Sequence, residues 1–412
     1  MAKYIILLLW FQALSLMADS DFDEMPTMDM GGKKGGGQPG LLAAWSSSLQ
    51  YRSFEEGNEQ LGTFEVKGGG SLRSWARMQF QGELFHLSSH ESPHQGGIHE
   101  AYLTLNYKST DLSLGVQKNA WGVMDFVSPA SSLSPQDFSR GVSPDFKRMD
   151  RGIPSVALRS SLSMLFLELL YRPVTMPHLL PGAKSPWDLA SSVVGNLPGG
   201  GSYRGDRRYP GLGARFGAEL GGINFRLSIY DGYEQFQLDQ VPNLASAPGA
   251  LSYNALDFDW ALGIFVLKGE AAWGIRQRFV VGPLGGIESR DSRFSSGAIG
   301  FDLGYDALNF TMEYSTTGWD EDLVSLIPYL SERDVLSFSV KYSFLDEDLE
   351  LSIAGQLGVD EYEELMMSRI SYKLLPEVQL EGGHVDFKGD DTNLFGLYDQ
   401  RDYVYGQVKF FL

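Results

Sequence analysis

The chain contains no cysteine. Disulfides, thiolate chemistry and cysteine-ligated zinc are therefore excluded, in agreement with a periplasmic folding route where stray thiols would be oxidised. Basic residues are scarce: 33 Lys and Arg face 52 Asp and Glu, and a formal net charge of -19 argues against nucleic acid as a partner. Beyond the first residues no run approaches the roughly 20 continuous apolar residues of a membrane helix, so hydropathy alone would class the chain as soluble. There is no Gly-x-Ser-x-Gly elbow and no phosphate-cradling Gly-Lys-Ser/Thr, and His178 and His384 stand far apart. No catalytic residue and no cofactor is expected.

What the chain has instead is alternation. At its end Val404, Gly406, Val408, Phe410 and Leu412 share one face, and Tyr403, Tyr405, Gln407, Lys409 and Phe411 the other. Half apolar and half mixed, such a strand suits a wall between bilayer and water. The same period runs through 256–266, where Leu256, Phe258, Trp260, Leu262, Ile264 and Val266 alternate with Asp257, Asp259, Ala261, Gly263 and Phe265. Ala271, Trp273, Ile275 and Phe279 then form a second greasy face, with Lys268-Gly269 as the expected hairpin turn. Similar strands are expected at 223–230, 298–305, 308–314 and 336–344.

Connections alternate between short and long. Tight turns are expected near Thr110-Asp111, Ser160-Ser161, Gly221-Gly222, Lys268-Gly269, Asp306-Ala307, 346–348 and Leu375-Pro376. Long connections are expected at 86–97, 119–152, 173–208, 231–253, 280–296, 317–333 and 387–401. This is the asymmetry of outer-membrane barrels, with short periplasmic turns and long extracellular loops. Counting back from the terminal strand, which must run toward the periplasm, makes 72–87 one upward strand and gives about 16 strands. Residues 41–53 and 61–67 supply a further pair that would make 18. The expected fold is all-β, a transmembrane antiparallel up-and-down barrel over 41–412.

The N-terminus bears on how the chain reaches a membrane. Lys3 precedes an apolar run over 4–18, after which Asp19 begins an acidic stretch. This pattern is similar to a secretory signal peptide, 1–18, cut after about Ala18; a retained membrane anchor is the other reading. Residues 19–40, with no apolar period, read as a disordered periplasmic leader, either a tether or plug or a solubilising tail.

The apolar export segment, the amphipathic strands with glycine and aromatic residues at their ends, and the aromatic terminal strand together resemble the porins of Gram-negative outer membranes, over 41–412. A narrower likeness lies at 114–122 and 133–138, similar to the strand-to-loop segment of a poorly characterised porin-like group. The resemblance implies outer-membrane lipid as surroundings, the barrel-assembly machinery as a partner of strand 403–412, and passive diffusion of small hydrophilic solutes or ions as the function. A substrate-specific channel for acidic oligosaccharides or organic acids is the alternative within transport; a structural or adhesive surface barrel is the alternative outside it.

At 16 to 18 strands an aqueous channel is expected unless a loop or plug blocks it. Arg73, Arg77, Arg215, Arg226, Asp257, Asp259, Lys268, Glu270, Arg276 and Arg278 alternate with apolar residues and are expected to face that lumen, because basic side chains toward lipid cost about 2 to 4 kcal/mol each near midplane. The segment 121–151 is the expected constriction. It carries Asp125, Asp137, Arg140, Asp145, Lys147, Arg148, Asp150 and Arg151 together with Phe126, Phe138 and Phe146. In porins a long loop of this kind folds inward and narrows the pore, and its basic groups facing inward carboxylates would set a transverse field. An external loop packed on its neighbours is the competing reading. Arg204, Arg207, Arg208 and Arg215, with Arg226, Arg276 and Arg278, suggest an anion lane or a group neutralised by nearby carboxylates.

Three features carry weaker signals. His86, His90, His94 and His99 stand near Glu91 and Glu100, as an exposed polar loop or a metal site. His384 beside Asp386 reads as a girdle or lumen residue, or as part of a barrel enzyme. Trp187 lies in a Pro-rich loop, packed at the barrel mouth or stacking on a sugar ring.

Overall fold

The computed structural model describes residues 41–54, 57–88, 94–131, 133–141, 149–176, 178–179, 187, 209–233, 250–281, 287–320, 332–390 and 393–411. The expected signal peptide and leader lie outside them. Eighteen strands follow one another: β1 (Leu41–Phe54), β2 (Gly57–Arg73), β3 (Ala76–Leu87), β4 (His94–Tyr107), β5 (Thr110–Gln117), β6 (Ile153–Leu162), β7 (Leu165–Arg172), β8 (Gly211–Leu220) and β9 (Ile223–Tyr233) form the first half. The second half is β10 (Ala250–Leu262), β11 (Phe265–Val281), β12 (Ile287–Tyr305), β13 (Leu308–Trp319), β14 (Arg333–Phe344), β15 (Leu349–Gly358), β16 (Glu363–Leu375), β17 (Val378–Gly389) and β18 (Tyr403–Phe411). Each pairs antiparallel with the next, and Gln50 of β1 stands opposite both Leu61 of β2 and Gln407 of β18. The sheet is closed and has no edge.

Alternation decides which face is which. On β7 the side chains of Leu165, Leu167, Leu169 and Tyr171 are exposed, while Leu170 and Arg172 between them are buried. On β9 Phe225, Leu227 and Ile229 are exposed around buried Ser228 and Tyr230. Repeated round the ring, this leaves a continuous apolar outer belt, far larger than the patch of a few hundred Å² that a soluble monomer exposes. Trp75, Tyr107, Tyr305, Tyr342 and Tyr372 lie exposed beside the tight turns, as an interfacial aromatic girdle does. Among the described residues no helix is long and apolar enough to cross a membrane; a barrel crosses with strands.

Five of the tight turns share a geometry. Lys108, Ser163, Gly221, Gly263 and Asp306 open them at φ of 54°, 54°, 60°, 67° and 53°, the left-handed geometry that matches the twist of paired strands.

Several expected boundaries move. The strand count is 18, because the pair at 41–53 and 61–67 is real and extends to β1 and β2. The expected upward strand 72–87 is broken at Ser74-Trp75 into the end of β2 and the whole of β3. Turns expected at Thr110-Asp111 and Ser160-Ser161 fall at Lys108-Ser109 and Ser163-Met164. Lys268-Gly269 lies inside β11, and the reversal is at Gly263-Ile264; Ile264 sits where the alternation continues, which hides the turn. The long connection expected at 280–296 is largely strand: β11 and β12 stay paired from Phe265↔Leu303 to Val281↔Ile287, and that ladder satisfies the backbone of a polar stretch.

Candidate functional site

The connection between β5 and β6 turns into the barrel. Trp121 begins the descent: its ring is buried and its Nε1 donates to Glu168 Oε1 at 2.9 Å. It lies against Gly213, where a Cβ would come within 2.5 Å of the ring. The backbone that follows has N–H groups that need acceptors once removed from water, and the wall supplies carboxylates. Glu270 on β11 accepts from Val123 N–H, from Met124 N–H at 2.8 Å, from Ala130 N–H at 3.0 Å and from Ser128 Oγ at 2.7 Å. Glu313 on β13 accepts from the N–H groups of Asp125 and Phe126 at 2.8 and 3.0 Å. Lys268 Nζ then ties Asp125 at 2.6 Å to Asp302 at 2.9 Å and Glu313 at 3.1 Å. Above these, Trp121, Ala130 and Leu133 pack on Leu170, Tyr230, Leu251, Tyr253, Ala272 and Phe294.

The same segment ends on the opposite wall. Arg140 Nη1 donates to Glu83 Oε1 on β3 at 2.8 Å, and the Arg140 carbonyl accepts from Arg52 Nη1 on β1 at 2.7 Å. Arg52 also pairs with Glu59 on β2 at 3.0 Å. A bulge in β4 gives Gln81 and Gly82 the partners Glu100 and Ile98, which brings His99 as well as Glu100 to the inner face. His99 Nε2 lies 2.8 Å from the other Glu83 oxygen. β2 and β11 are nine strands apart (11 - 2) in a ring of 18. The segment therefore crosses the interior from wall to wall, as a strap.

A second connection braces it. Phe138 N–H donates to Leu179 O at 2.8 Å, Leu179 N–H donates to Gln136 O at 2.9 Å, and His178 Nδ1 accepts from Gln136 N–H at 3.0 Å. Burial, with Arg276 and Arg151 nearby, pushes the His178 imidazole down to about 3. Burial also lowers the Arg151 guanidinium, against the pull of Asp137. Trp187 is wholly buried among Phe54, Phe387, Tyr398 and Tyr403. Gly141, at φ 77°, lies so close that a Cβ would come within 2.2 Å of that ring. The ring is enclosed by its own chain and offers no face to a sugar.

The structure thus brings together Asp137, Arg140 and Arg151 of the expected constriction and places Asp125 at the other wall on Lys268; Asp145, Lys147 and Arg148 lie outside the described residues. Asp150 bridges Gln136. On the wall, Asp257 is paired with Arg215 at 3.1 Å and with Arg226 at 2.7 Å, and Arg226 also reaches Asp259. Arg276 is partly buried near His178 and Tyr253. Arg278 stands opposite Arg290 in register. Arg73 and Arg77 are exposed near the tight-turn end, with Arg77 Nε 3.3 Å from Asn106 Oδ1. The described arginines of the expected lane thus meet carboxylates at Arg215 and Arg226, while Arg204, Arg207 and Arg208 lie outside the described residues.

His99 is engaged by Glu83, His90 is outside the described residues, and among the described residues no group of three His, Asp or Glu side chains could hold a metal. The sequence also carries His90-Glu91-Ser92-Pro93-His94, the letters of a zinc-protease motif. That chemistry needs both histidines on one helix face; here His94 opens a strand with Pro93 before it. His384 is exposed and shares with Leu380 the outward face of β17. The anchoring role of Glu83, Glu270 and Glu313, and the wall pairs Glu350–Arg369 and Glu381–Lys409 on β15–β18, were not marked by any motif. Period-two placement of opposite charges on successive strands is the signal that could have found the latter.

In structure the chain is similar to a BenF-like porin from Pseudomonas fluorescens Pf-5, with TM-score 0.55 and 10% identity over 90% of this chain and 98% of that one. It is similar to OpdK of Pseudomonas aeruginosa, with TM-score 0.53 and 11% identity over 90% and 99%. It is also similar to OccK9 of Pseudomonas aeruginosa, with TM-score 0.52 and 10% identity over 90% and 97%. No family model and no curated protein sequence matches the chain. The fold is that of the Gram-negative porin-type barrel.

Proposed function

We propose that the protein is an outer-membrane channel for passive diffusion of small hydrophilic solutes or ions, with the strap over 121–151 as its constriction. The observation that carries this reading is the strap itself. An 18-stranded barrel is wide enough for an aqueous lumen, and a loop anchored on both walls narrows such a lumen without filling it. The long connections face outward and the tight turns face the periplasm, where the terminal strand ends and the barrel-assembly machinery would engage 403–412. Transport would follow the solute's own gradient, with no cofactor and no catalytic residue.

A substrate-specific channel for organic acids is the second reading. It is favoured by the likeness to OpdK, which has also been solved with vanillate, a small carboxylate. The test is single-channel conductance of the refolded protein in a planar bilayer. Discrete ohmic steps support a pore. Electrical silence from a folded barrel would overturn it and leave a structural or adhesive barrel.

A further inference from the structure

We infer that the inner face of β15–β18 is a binding site for zwitterionic solutes of amino-acid size, a reading that rests on the channel proposed above. Glu350 on β15, Arg369 on β16, Glu381 on β17 and Lys409 on β18 carry alternate signs on four adjacent strands. Arg369 Nη2 lies 2.5 Å from Glu350 Oε1, and Lys409 Nζ lies 2.7 Å from Glu381 Oε2. Arg369 also feels the charge of Glu381, which closes the series into one belt. The neighbours of these residues along the chain, Leu351, Ile370 and Leu380, are exposed on the outer face, so the belt faces inward. Adjacent strands are about 4.8 Å apart, and charges of opposite sign recur at about that interval.

The belt differs in access from the charges beneath the strap. The side chains of Glu350, Arg369 and Lys409 are 32%, 24% and 18% exposed and that of Glu381 is 6% exposed; of the charges at the strap, Lys268, Glu313 and Asp257 are 4%, 2% and 0% exposed, and Asp125 and Asp302 are paired with Lys268 although 35% exposed. Beside it, Gly383 has no room for a side chain: a Cβ would lie 2.4 Å from Ser368 O and 2.6 Å from the Tyr405 ring. Tyr405 OH in turn donates to Glu381 Oε1 at 3.2 Å.

Paired charges select by pattern. An ion of one sign can bind only by separating a pair and leaving one member uncompensated. A solute with an ammonium and a carboxylate replaces one internal pair with two new ones and leaves none unmatched, while an uncharged solute gains from neither. The four paired charges sum to zero, and Lys341 on β14 and Lys373 on β16 lie beside them on the same inner face.

The experiment is swelling of liposomes that contain the refolded full-length barrel, in isotonic alanine, lactate, ethanolamine or glycerol, four solutes of similar size. Alanine is expected to enter at least about threefold faster than lactate or ethanolamine. The preference is expected to vanish when Arg369→Gln and Glu381→Gln are combined. Reversal potentials under a salt gradient give a second readout: Arg369→Gln shifts the pore toward cations and Glu381→Gln toward anions, and either single variant suffices. Lactate entering as fast as alanine, or an alanine preference that survives the double change, would overturn the inference while leaving the channel standing. Absence of swelling with every solute would overturn the channel itself.

Discussion

At β11 and β13 the strap is held along a run of main chain, whose N–H groups donate to carboxylates buried in the wall; at β1–β3 it is held at Arg140, by the guanidinium on Glu83, with the two side chains 16% and 12% exposed, and by the carbonyl that accepts from Arg52. Main-chain anchoring fixes the path of 123–130 whatever side chains it carries. Anchoring at Arg140 fixes one residue rather than a run, and water competes for its guanidinium. The difference predicts a strap that is permanent at one end and adjustable at the other.

The largest effect is expected from Glu270→Ala, which leaves the N–H groups of Val123, Met124 and Ala130 and the Ser128 hydroxyl without their acceptor. At about 1 to 3 kcal/mol per buried unmet donor, the first foot detaches. Single-channel conductance should rise and become noisy, and an unchanged trace would break the comparison outright. Lys268→Met comes next, since it strips the cation from Glu313 and Asp302 as well as Asp125. Removing one partner of a buried pair costs about 3 to 5 kcal/mol, and a lower unfolding temperature is the expected readout. Arg140→Met should cost less than Lys268→Met, about 1.5 to 3 kcal/mol for a charged hydrogen bond that is partly open to water, with a modest gain in conductance and a smaller fall in unfolding temperature. A loss of thermal stability equal to that of Lys268→Met would show that the two feet are alike.

The smallest effect is a pH dependence at the brace. His178 accepts from Gln136 N–H and so must be neutral; its folded value, about 3, lies below the unfolded value of 6.5. The unfolded state binds the proton first, so stability is full above about pH 6.5 and declines as pH falls toward 3, by less than about 1.4 kcal/mol per unit for a partly exposed group. Acidification to pH 4 should raise current noise in the native barrel, and His178→Gln should abolish that rise.

The strands were legible because lipid imposes period two on their outer face: Phe225, Leu227 and Ile229 announce β9 without help from context. The boundaries that moved did so where that constraint lapses. Ile264 stands in the apolar phase although it sits in a turn. Arg290, Asp291 and Ser292, polar on both faces, belong to a strand that continues where alternation is no longer required. Of the site, Asp125, Arg140, Lys268 and Glu270 were visible as charges in a loop or on a wall, but their partners were not. Partnership depends on which strands stand across the ring, and Glu270 meets donors from the main chain, which no residue type marks. At Arg215 and Arg226 the choice between an arginine lane and a neutralised group turned on a related matter: the carboxylates of β10 lie one strand from Arg226 and two from Arg215, distances in space that sequence spacing does not express.

The left-handed turn residues carry one further consequence. A reversal of two residues leaves no slack, so one residue added at Lys108-Ser109 or Asp306-Ala307 would flip the following strand and send its polar face into the bilayer. Residues added at the other rim enter connections that already wander, and the parity of the strands beneath them is untouched. New segments can therefore accumulate only on the side that meets the environment, while the wall that carries the belt and both feet of the strap keeps its register.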